Sequence, residues 1–275
     1  VTAMRIATWN VNSVRTRADR VTGFLARHDV DVLAMQETKC SDDKFPYLAF
    51  EEAGYEVAHV GYHQYNGVAI ASRVGLSDVA DHFPGQPGFA KDPQKPQHRE
   101  ARAVGATCGG VRLWSLYVPN GRQIGDRHYD YKLAFYYALA RFCEQETTDP
   151  ARRFAIMGDF NVAPRDEDVW DMAAFAGATH VTEPERAAFQ MVEESGLREV
   201  TRSLAAQRYT YWDYKAGRFG KDEGMRIDFQ FASAPLAATA RAAFVDVKER
   251  AQAGASDHAP VVVDYQEAAD YDSVR

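Results

Sequence analysis

The chain has 275 residues, of which 46% are hydrophobic and 26% charged, with a formal net charge of −7. That balance suits a globule with a sizeable core, and the length still fits a single unit when the fold has two sheets or a barrel. No apolar run nears the roughly 18 residues of a membrane helix, the first residues show no signal-peptide pattern, and the negative charge argues against nonspecific coating of nucleic acid while leaving room for a local basic rim. Cys40, Cys108 and Cys143 are odd in number and form no CxxC. A disulfide framework or thiolate zinc site is disfavoured, and a reducing cytoplasmic setting is expected.

In chain order, β-rich apolar runs and helical periodicity predict a strand over Arg5–Trp9, a helix over Arg15–Arg27, a strand over Val30–Met35 and a helix over Asp43–Ala53. Strands follow over Tyr55–Val60 and Gly67–Ala71. The Pro-, Gly- and Lys-rich stretch Phe83–Arg102 then reads as a long surface loop. Further strands are predicted over Ala103–Cys108 and Val111–Val118, and a helix over Arg127–Glu146 with an apolar stripe of Tyr129, Leu133, Tyr136, Tyr137 and Ala140. A strand over Arg153–Met157, a helix over Pro184–Glu194, and strands over Ile227–Ala232 and Ala259–Tyr265 complete the reading. Strands outnumber helices and come in runs, which points to an α/β sandwich with helices outside packed sheets. No linker divides the chain. A single domain is expected over 4–266, with 1–3 as an N-terminal extension and 267–275 as a C-terminal tail.

Polar residues fall at strand ends. The run through Trp9 ends at Asn10, that through Met35 at Gln36–Glu37, that through Val118 near Tyr117 and Asn120, and that through Met157 at Asp159 and Asn161. Two later strands carry their polar groups at the start, Asp228 in one and Asp257–His258 before the other. If these groups share one rim, the last two strands run opposite to the first four and the sheets are mixed. Taken singly, Asp and Asn at strand ends are ordinary turn formers. Glu37 fits that explanation poorly, and so does an Asp–His doublet before a buried strand.

Carboxylates and amides without paired cysteines favour a hard cation, Mg²⁺ or Mn²⁺, over zinc. Glu37 with Asp257 and Asn10 suffices as a ligand set, and the ion would polarise a phosphoryl oxygen. Asp159 is placed to accept a proton from an attacking water, with Asn161 to orient that water or the phosphate. His258 can donate to a nonbridging oxygen, steadied by Asp228.

Together these residues resemble the exonuclease III family of the endonuclease/exonuclease/phosphatase superfamily. The matching segments, in the family's order, are TWNVNSVR (Thr8–Arg15), LAMQETK (Leu33–Lys39), YNGVAI (Tyr65–Ile70), YVPNG (Tyr117–Gly121), MGDFNVAP (Met157–Pro164), TYWDY (Thr210–Tyr214), MRIDF (Met225–Phe229) and SDHAPV (Ser256–Val261). The resemblance implies a deoxyribonuclease I-like four-layer α/β sandwich, two packed mixed β-sheets flanked by helices. It implies metal ligation centred on Glu37, with Asn10, Asp257, Asp159 and Asn161 close by. It also implies catalytic roles for Asp159, Asn161, the His258–Asp228 pair and Tyr117.

The superfamily also contains phosphatases and phosphodiesterases acting on phosphoesters other than DNA, and the GDFN and SDH segments do not separate them. YVPNG and the WDY and RID segments resemble the DNA repair members. The resemblance then implies a Mg²⁺-dependent nuclease that incises duplex DNA 5′ to abasic sites and clears 3′ ends as a 3′→5′ exonuclease and 3′-phosphatase, acting as a monomer at the nucleoid. Tyr211, Trp212, Met225 and Ile227 would line a pocket for a flipped abasic sugar, where limited room excludes a normal nucleotide. Asn120, Arg122, Lys215 and Arg218 would hold the DNA through its phosphates. A catalytically dead DNA-binding module is disfavoured, because no central polar residue is missing.

Overall fold

The computed structural model describes residues 3–267, and the expected extension and tail otherwise lie outside the described residues. Ala3 belongs to the domain: it opens β1 (Ala3–Asn10) and pairs with Gln266. Twelve strands form two six-stranded sheets. In the first, the order is β11 (Ala240–Val245), β12 (Val261–Gln266), β1, β2 (Val32–Gln36), β4 (Val68–Ser72) and β3 (Glu56–Val60). In the second it is β5 (Ser77–Ala80), β6 (Ala103–Cys108), β7 (Val111–Tyr117), β8 (Phe154–Asp159), β10 (Asp228–Ser233) and β9 (Leu197–Glu199). Each sheet is mixed around one central parallel pair, β1 with β2 and β7 with β8.

Both faces of the central strands are covered, which is why they read as continuous apolar runs instead of alternating ones. Ile6, Val32, Ala34 and Ile70 pack against Val104, Leu113, Ala155 and Met157 between the sheets. On the outer face of the first sheet, Trp9, Leu33 and Met35 meet Val21, Phe24 and Phe50. These come from helices α1 (Ala18–His28) and α2 (Tyr47–Glu52). On the outer face of the second, Trp114, Leu116 and Phe231 meet Phe135, Leu139 and Phe189, from α3 (Arg127–Glu146) and α4 (Glu183–Glu193). The result is the expected four-layer sandwich. Buried amides tie its halves together. Gln36 donates to Ser115 of the facing sheet at 3.0 Å, and Gln230 donates to the Ile6 carbonyl at 2.9 Å. Satisfied polar groups of this kind fix one offset between two otherwise greasy faces.

Helix starts follow their caps. Asp126 accepts from the His128 amide at the start of α3, and Thr182 with Glu185 forms a capping box at α4. The predicted helix Asp43–Ala53 is split: a single 3₁₀ turn over Asp42–Lys44 precedes α2, because Pro46 cannot continue a helix from before it. The three strands not predicted, β5, β9 and β11, are short or exposed, and all three lie at sheet edges. Two short helices, α5 (Ala234–Ala237) and α6 (Val247–Arg250), were likewise unforeseen. The face of α3 is rotated from the predicted stripe. Tyr137 is exposed, whereas Lys132 is fully buried. Among the described residues no helix is long and apolar enough to cross a membrane.

Candidate active site

The C-terminal ends of β1, β2, β7 and β8 meet the N-terminal ends of β10 and β12 at one edge of the sandwich. β10 runs antiparallel to β8, and β12 antiparallel to β1, as a shared rim requires. Register sets Tyr117 beside Asp159 and Asp159 beside Asp228, while Asn10 pairs with Gln36 just before Glu37. Gly158 has φ +151°, and a Cβ there would lie 1.9 Å from the Leu116 carbonyl oxygen. Only glycine lets β8 approach β7 this closely immediately before Asp159.

Asn10 is the hub of the carboxylates. Its Nδ2 donates to Glu37 Oε2 at 2.5 Å and to Asp159 Oδ2 at 3.0 Å, while its Oδ1 accepts the Asn12 amide at 3.1 Å. The side-chain oxygen is thus turned to the backbone, and Asn10 acts here by orienting two acids. Asn161 is fixed at both ends of its amide. Its Nδ2 donates to the Val118 carbonyl at 2.8 Å and its Oδ1 faces His180 Nε2 at 3.1 Å. Its backbone N–H donates to Asp159 Oδ1 at 3.0 Å.

His258 stands between two acids. Nδ1 is 2.8 Å from Asp228 Oδ2, and Nε2 is 3.5 Å from Asp159 Oδ2. Asp228 also accepts from the Thr210 hydroxyl at 2.7 Å. Ser256 locks the His258 segment to β1 by donating to the Asn10 carbonyl at 2.6 Å. Burial opposes the imidazolium, but Asp228 and then Asp159 outweigh it and push His258 up to about 10. Burial pushes Asp159 up to about 7; the cation at His258 opposes this, and Asp228 and Glu37 add to it. Tyr117, on which the Arg102 guanidinium stacks at 4.9 Å, is held well above the ordinary phenol range by burial and by Glu37. It remains a neutral O–H donor.

Among the described residues, Glu37, Asp159 and His258 each offer one ligand atom within 4.8 Å of the others. The imidazolium is a poor ligand, since its lone pairs are protonated. The two carboxylates remain, hard oxygen donors whose mutual repulsion raises Asp159 and which a divalent cation would relieve. The donor set therefore fits a hard divalent cation, which Glu37 and Asp159 would hold. Asp257 lines the same mouth outside this trio.

Above the acids lies a cavity of about 500 Å³. Tyr211, Met225 and Ile227, expected at a pocket, line it, and so do Asn120 and Arg218, expected at the DNA backbone. Tyr211 packs on His258 with ring centroids 4.9 Å apart. Trp212 does not line it: its side chain points into the core, donates to Asp222 at 3.0 Å and packs against Phe219. Successive residues alternate faces, so Tyr211 and Trp212 cannot share one wall. Arg122 and Lys215 are exposed and lie outside the lining. Arg218 is ion-paired with Glu223 and stacked 4.5 Å over Trp170, so it is wall as much as cation. Another part of the lining, Trp170, Phe175 and His180, was missed. It belongs to an irregular segment with no periodicity. Thr210 was visible in the TYWDY segment, but nothing in the sequence assigned it to Asp228.

Paired mixed sheets whose shared edge gathers Glu37, Asp159, Asp228 and His258 define a phosphoester hydrolase of the metal-assisted kind. A family model described as the endonuclease/exonuclease/phosphatase family matches residues 7–258. The chain belongs to that family, in its exonuclease III-like branch, and is a hydrolase of the nuclease type. It is 27% identical to exodeoxyribonuclease III of Haemophilus influenzae over 277 aligned positions, covering 96% of this chain and 100% of that protein. The 3′ phosphatase NExo from Neisseria, solved with a product DNA hairpin and also described as a 3′-5′ exonuclease, is similar at 34% identity with a TM-score of 0.88, covering 96% and 100% of the two chains. An AP endonuclease from Archaeoglobus fulgidus is similar at 32% identity with a TM-score of 0.86, again covering 96% and 100%.

Proposed function

We propose that this nuclease repairs DNA by Mg²⁺-dependent hydrolysis of phosphoesters at 3′ ends and at abasic sites. It would remove 3′ phosphates and 3′ nucleotides and incise duplex DNA 5′ to a missing base, leaving a 3′ hydroxyl. The 3′-end activities stand first, because the relative at 34% identity is described as a 3′ phosphatase and 3′-5′ exonuclease. Mn²⁺ would substitute for Mg²⁺. The partner is double-stranded DNA, and the protein acts as a monomer in the cytoplasm, at the nucleoid.

The observation that carries this reading is the line Asp228–His258–Asp159 beside Glu37. Asp228 keeps His258 charged, and Nε2, 3.5 Å from Asp159, is the ring donor that would turn to a nonbridging phosphate oxygen. Asp159, held by the Asn10 amide and the Asn161 N–H, accepts the proton of the attacking water. Tyr117 stays neutral and donates a hydrogen bond from its O–H to the phosphate. The bound cation supplies charge neutralisation on the phosphoryl oxygens. Asn120 at the mouth and the exposed Arg122 and Lys215 would contact the DNA backbone. Tyr211, Met225 and Ile227 form an apolar wall suited to a sugar without its base.

The test is incubation with three duplexes, one with a 3′ phosphate, one blunt and undamaged, and one with a single abasic analogue. Each is run with Mg²⁺, with chelator, and with Mg²⁺ restored. Cutting that stops with chelator and returns with metal is expected on at least the 3′-phosphate duplex. Turnover of an inositol phosphate or a lipid phosphodiester, with no reaction on any duplex, would replace this reading.

A further inference from the structure

Lys132 is the one lysine among the described residues that has no contact with water. It lies on α3, its side chain fully buried, opposite an equally buried Glu185 on α4. Taking two charges out of water is expensive, and pairs of this kind are often replaced by apolar side chains with no loss of stability. Stability alone therefore explains Lys132 poorly, and its contacts indicate another use.

An ammonium has three protons, and Lys132 directs its Nζ at three acceptors: Glu185 Oε1 at 2.6 Å, the Asn161 carbonyl at 2.7 Å and the Asn120 carbonyl at 3.1 Å. Those carbonyls belong to two different loops, one leaving β7 and the other leaving β8. Each loop carries a residue of the mouth. One turn along the same face of α3, the Tyr136 hydroxyl donates to the Phe160 carbonyl, so α3 grips two successive carbonyls beside Asp159. The backbone is shaped for this contact. Gly121 has φ +85°, and a Cβ there would sit 2.9 Å from Lys132 Cδ. Asn161 itself is in the left-handed region, at φ 50°. A carbonyl left unpaired in such a place would move to find a donor. Glu185 in turn is anchored by the Thr182 hydroxyl at 2.8 Å. Burial lowers the lysine's pKa, with Glu185 opposing it.

We propose that Lys132 is a positioning residue for the reaction: its ammonium holds the Asn120 and Asn161 loops at a fixed separation, so that Asn161 keeps its N–H on Asp159 and Asn120 keeps its place at the rim. Glu185 fixes the ammonium between the loops. This rests on the reading of the mouth as a site of phosphoester hydrolysis. Small displacements at such a site are amplified, because a shift of about 1 Å in a reacting group can cost on the order of 10²-fold in rate.

The test is the double variant Lys132→Met/Glu185→Met, which removes both charges and keeps the apolar stems, assayed on the 3′-phosphate duplex with Mg²⁺ and crystallised. The expected result is a melting temperature near that of the wild type, a fall in kcat of at least about tenfold with KM changed less than about threefold, and a shift of the Asn161 backbone away from Asp159. A double variant with wild-type kcat and an unmoved Asn161 would overturn the proposal. If the double variant does not fold, Lys132→Gln, which keeps a donor for Glu185 but leaves its charge unpaired, carries the same expectations for kcat, KM and Asn161, with a lower melting temperature. Failure of the wild type to cut any duplex would count against the proposed function instead, and the position of Asn161 in the variant's crystals would still decide the role of Lys132.

Discussion

Asp228 and His258 are joined by a buried hydrogen bond of 2.8 Å from Nδ1 to Oδ2, with a second contact of 3.1 Å to Oδ1. The bond fixes which face of the ring looks into the mouth and supplies the charge that keeps the ring protonated. Asp228→Asn keeps the shape but removes that charge. kcat at pH 8 is expected to fall about 10- to 100-fold, as for other residues that orient a catalytic group from behind. NMR titration of His258 should show its pKa lowered. An unchanged titration, with rate intact, would mean that Asp228 serves only the fold.

Asp159 and Glu37 are the two acids the chemistry needs, and Asp159 serves at a cost to stability. Asp159→Asn and Glu37→Ala should each lower the rate on the order of 10³-fold. Because burial raises the Asp159 pKa to about 7, its ionised form opposes folding above the ordinary carboxylate range. Asp159→Asn should therefore melt at or above the wild-type temperature at pH 8. Paired rate and thermal-melt measurements check both halves, and a large drop in melting temperature would assign the lost rate to misfolding.

The rate should be bell-shaped in pH. Asp159 must be ionised to accept a proton, so activity appears as pH rises through its pKa, about 7 without metal. His258 must be protonated to donate, so activity is lost as pH rises through about 10. A cation bound to Glu37 and Asp159 competes with the proton, and raising Mg²⁺ should move the acid arm to lower pH; the basic arm should also move to lower pH, because the cation neutralises one of the carboxylates that hold His258 charged. An acid arm indifferent to Mg²⁺ would separate Asp159 from the metal.

Trp212 and Met225 should respond in opposite ways. Trp212 is buried, with its indole N–H on Asp222; Trp212→Ala is expected to cost about 3–5 kcal/mol of stability, as other large core truncations do. Met225→Ala widens the cavity wall. It should leave kcat on the 3′-phosphate duplex within a few fold while changing the preference between an abasic and an undamaged duplex. Product ratios on the two DNAs, with denaturant melts, distinguish the roles, and equal ratios for Met225→Ala would remove it from substrate selection.

The central strands were legible in sequence because both faces of each are covered, so burial writes an uninterrupted apolar run into the local chain. The polar residues bounding those runs, Asn10, Glu37 and Asp159 at their ends and Asp228 and His258 at their starts, were legible for the same reason: a hydrophilic group stands out where a buried strand begins or stops. Edge strands such as β11, half exposed and Ala-rich, carry no such signal. Neither does the cavity wall of Trp170 and His180, whose place is set by what the irregular chain packs against.

Tertiary structure alone decided what each polar group does. The Asn10 oxygen turns to the Asn12 amide because Glu37 and Asp159 claim its nitrogen, and those acids are 27 and 149 residues away in sequence. Trp212 faces the core because Tyr211, its neighbour, takes the opposite side of an extended segment. Lys132 reads as a surface lysine until the carbonyls of two distant loops and a carboxylate from another helix surround it. Local sequence sets burial patterns through residue spacing. The direction of a hydrogen bond and the charge state of a buried acid depend on partners that only folding brings within 3 Å.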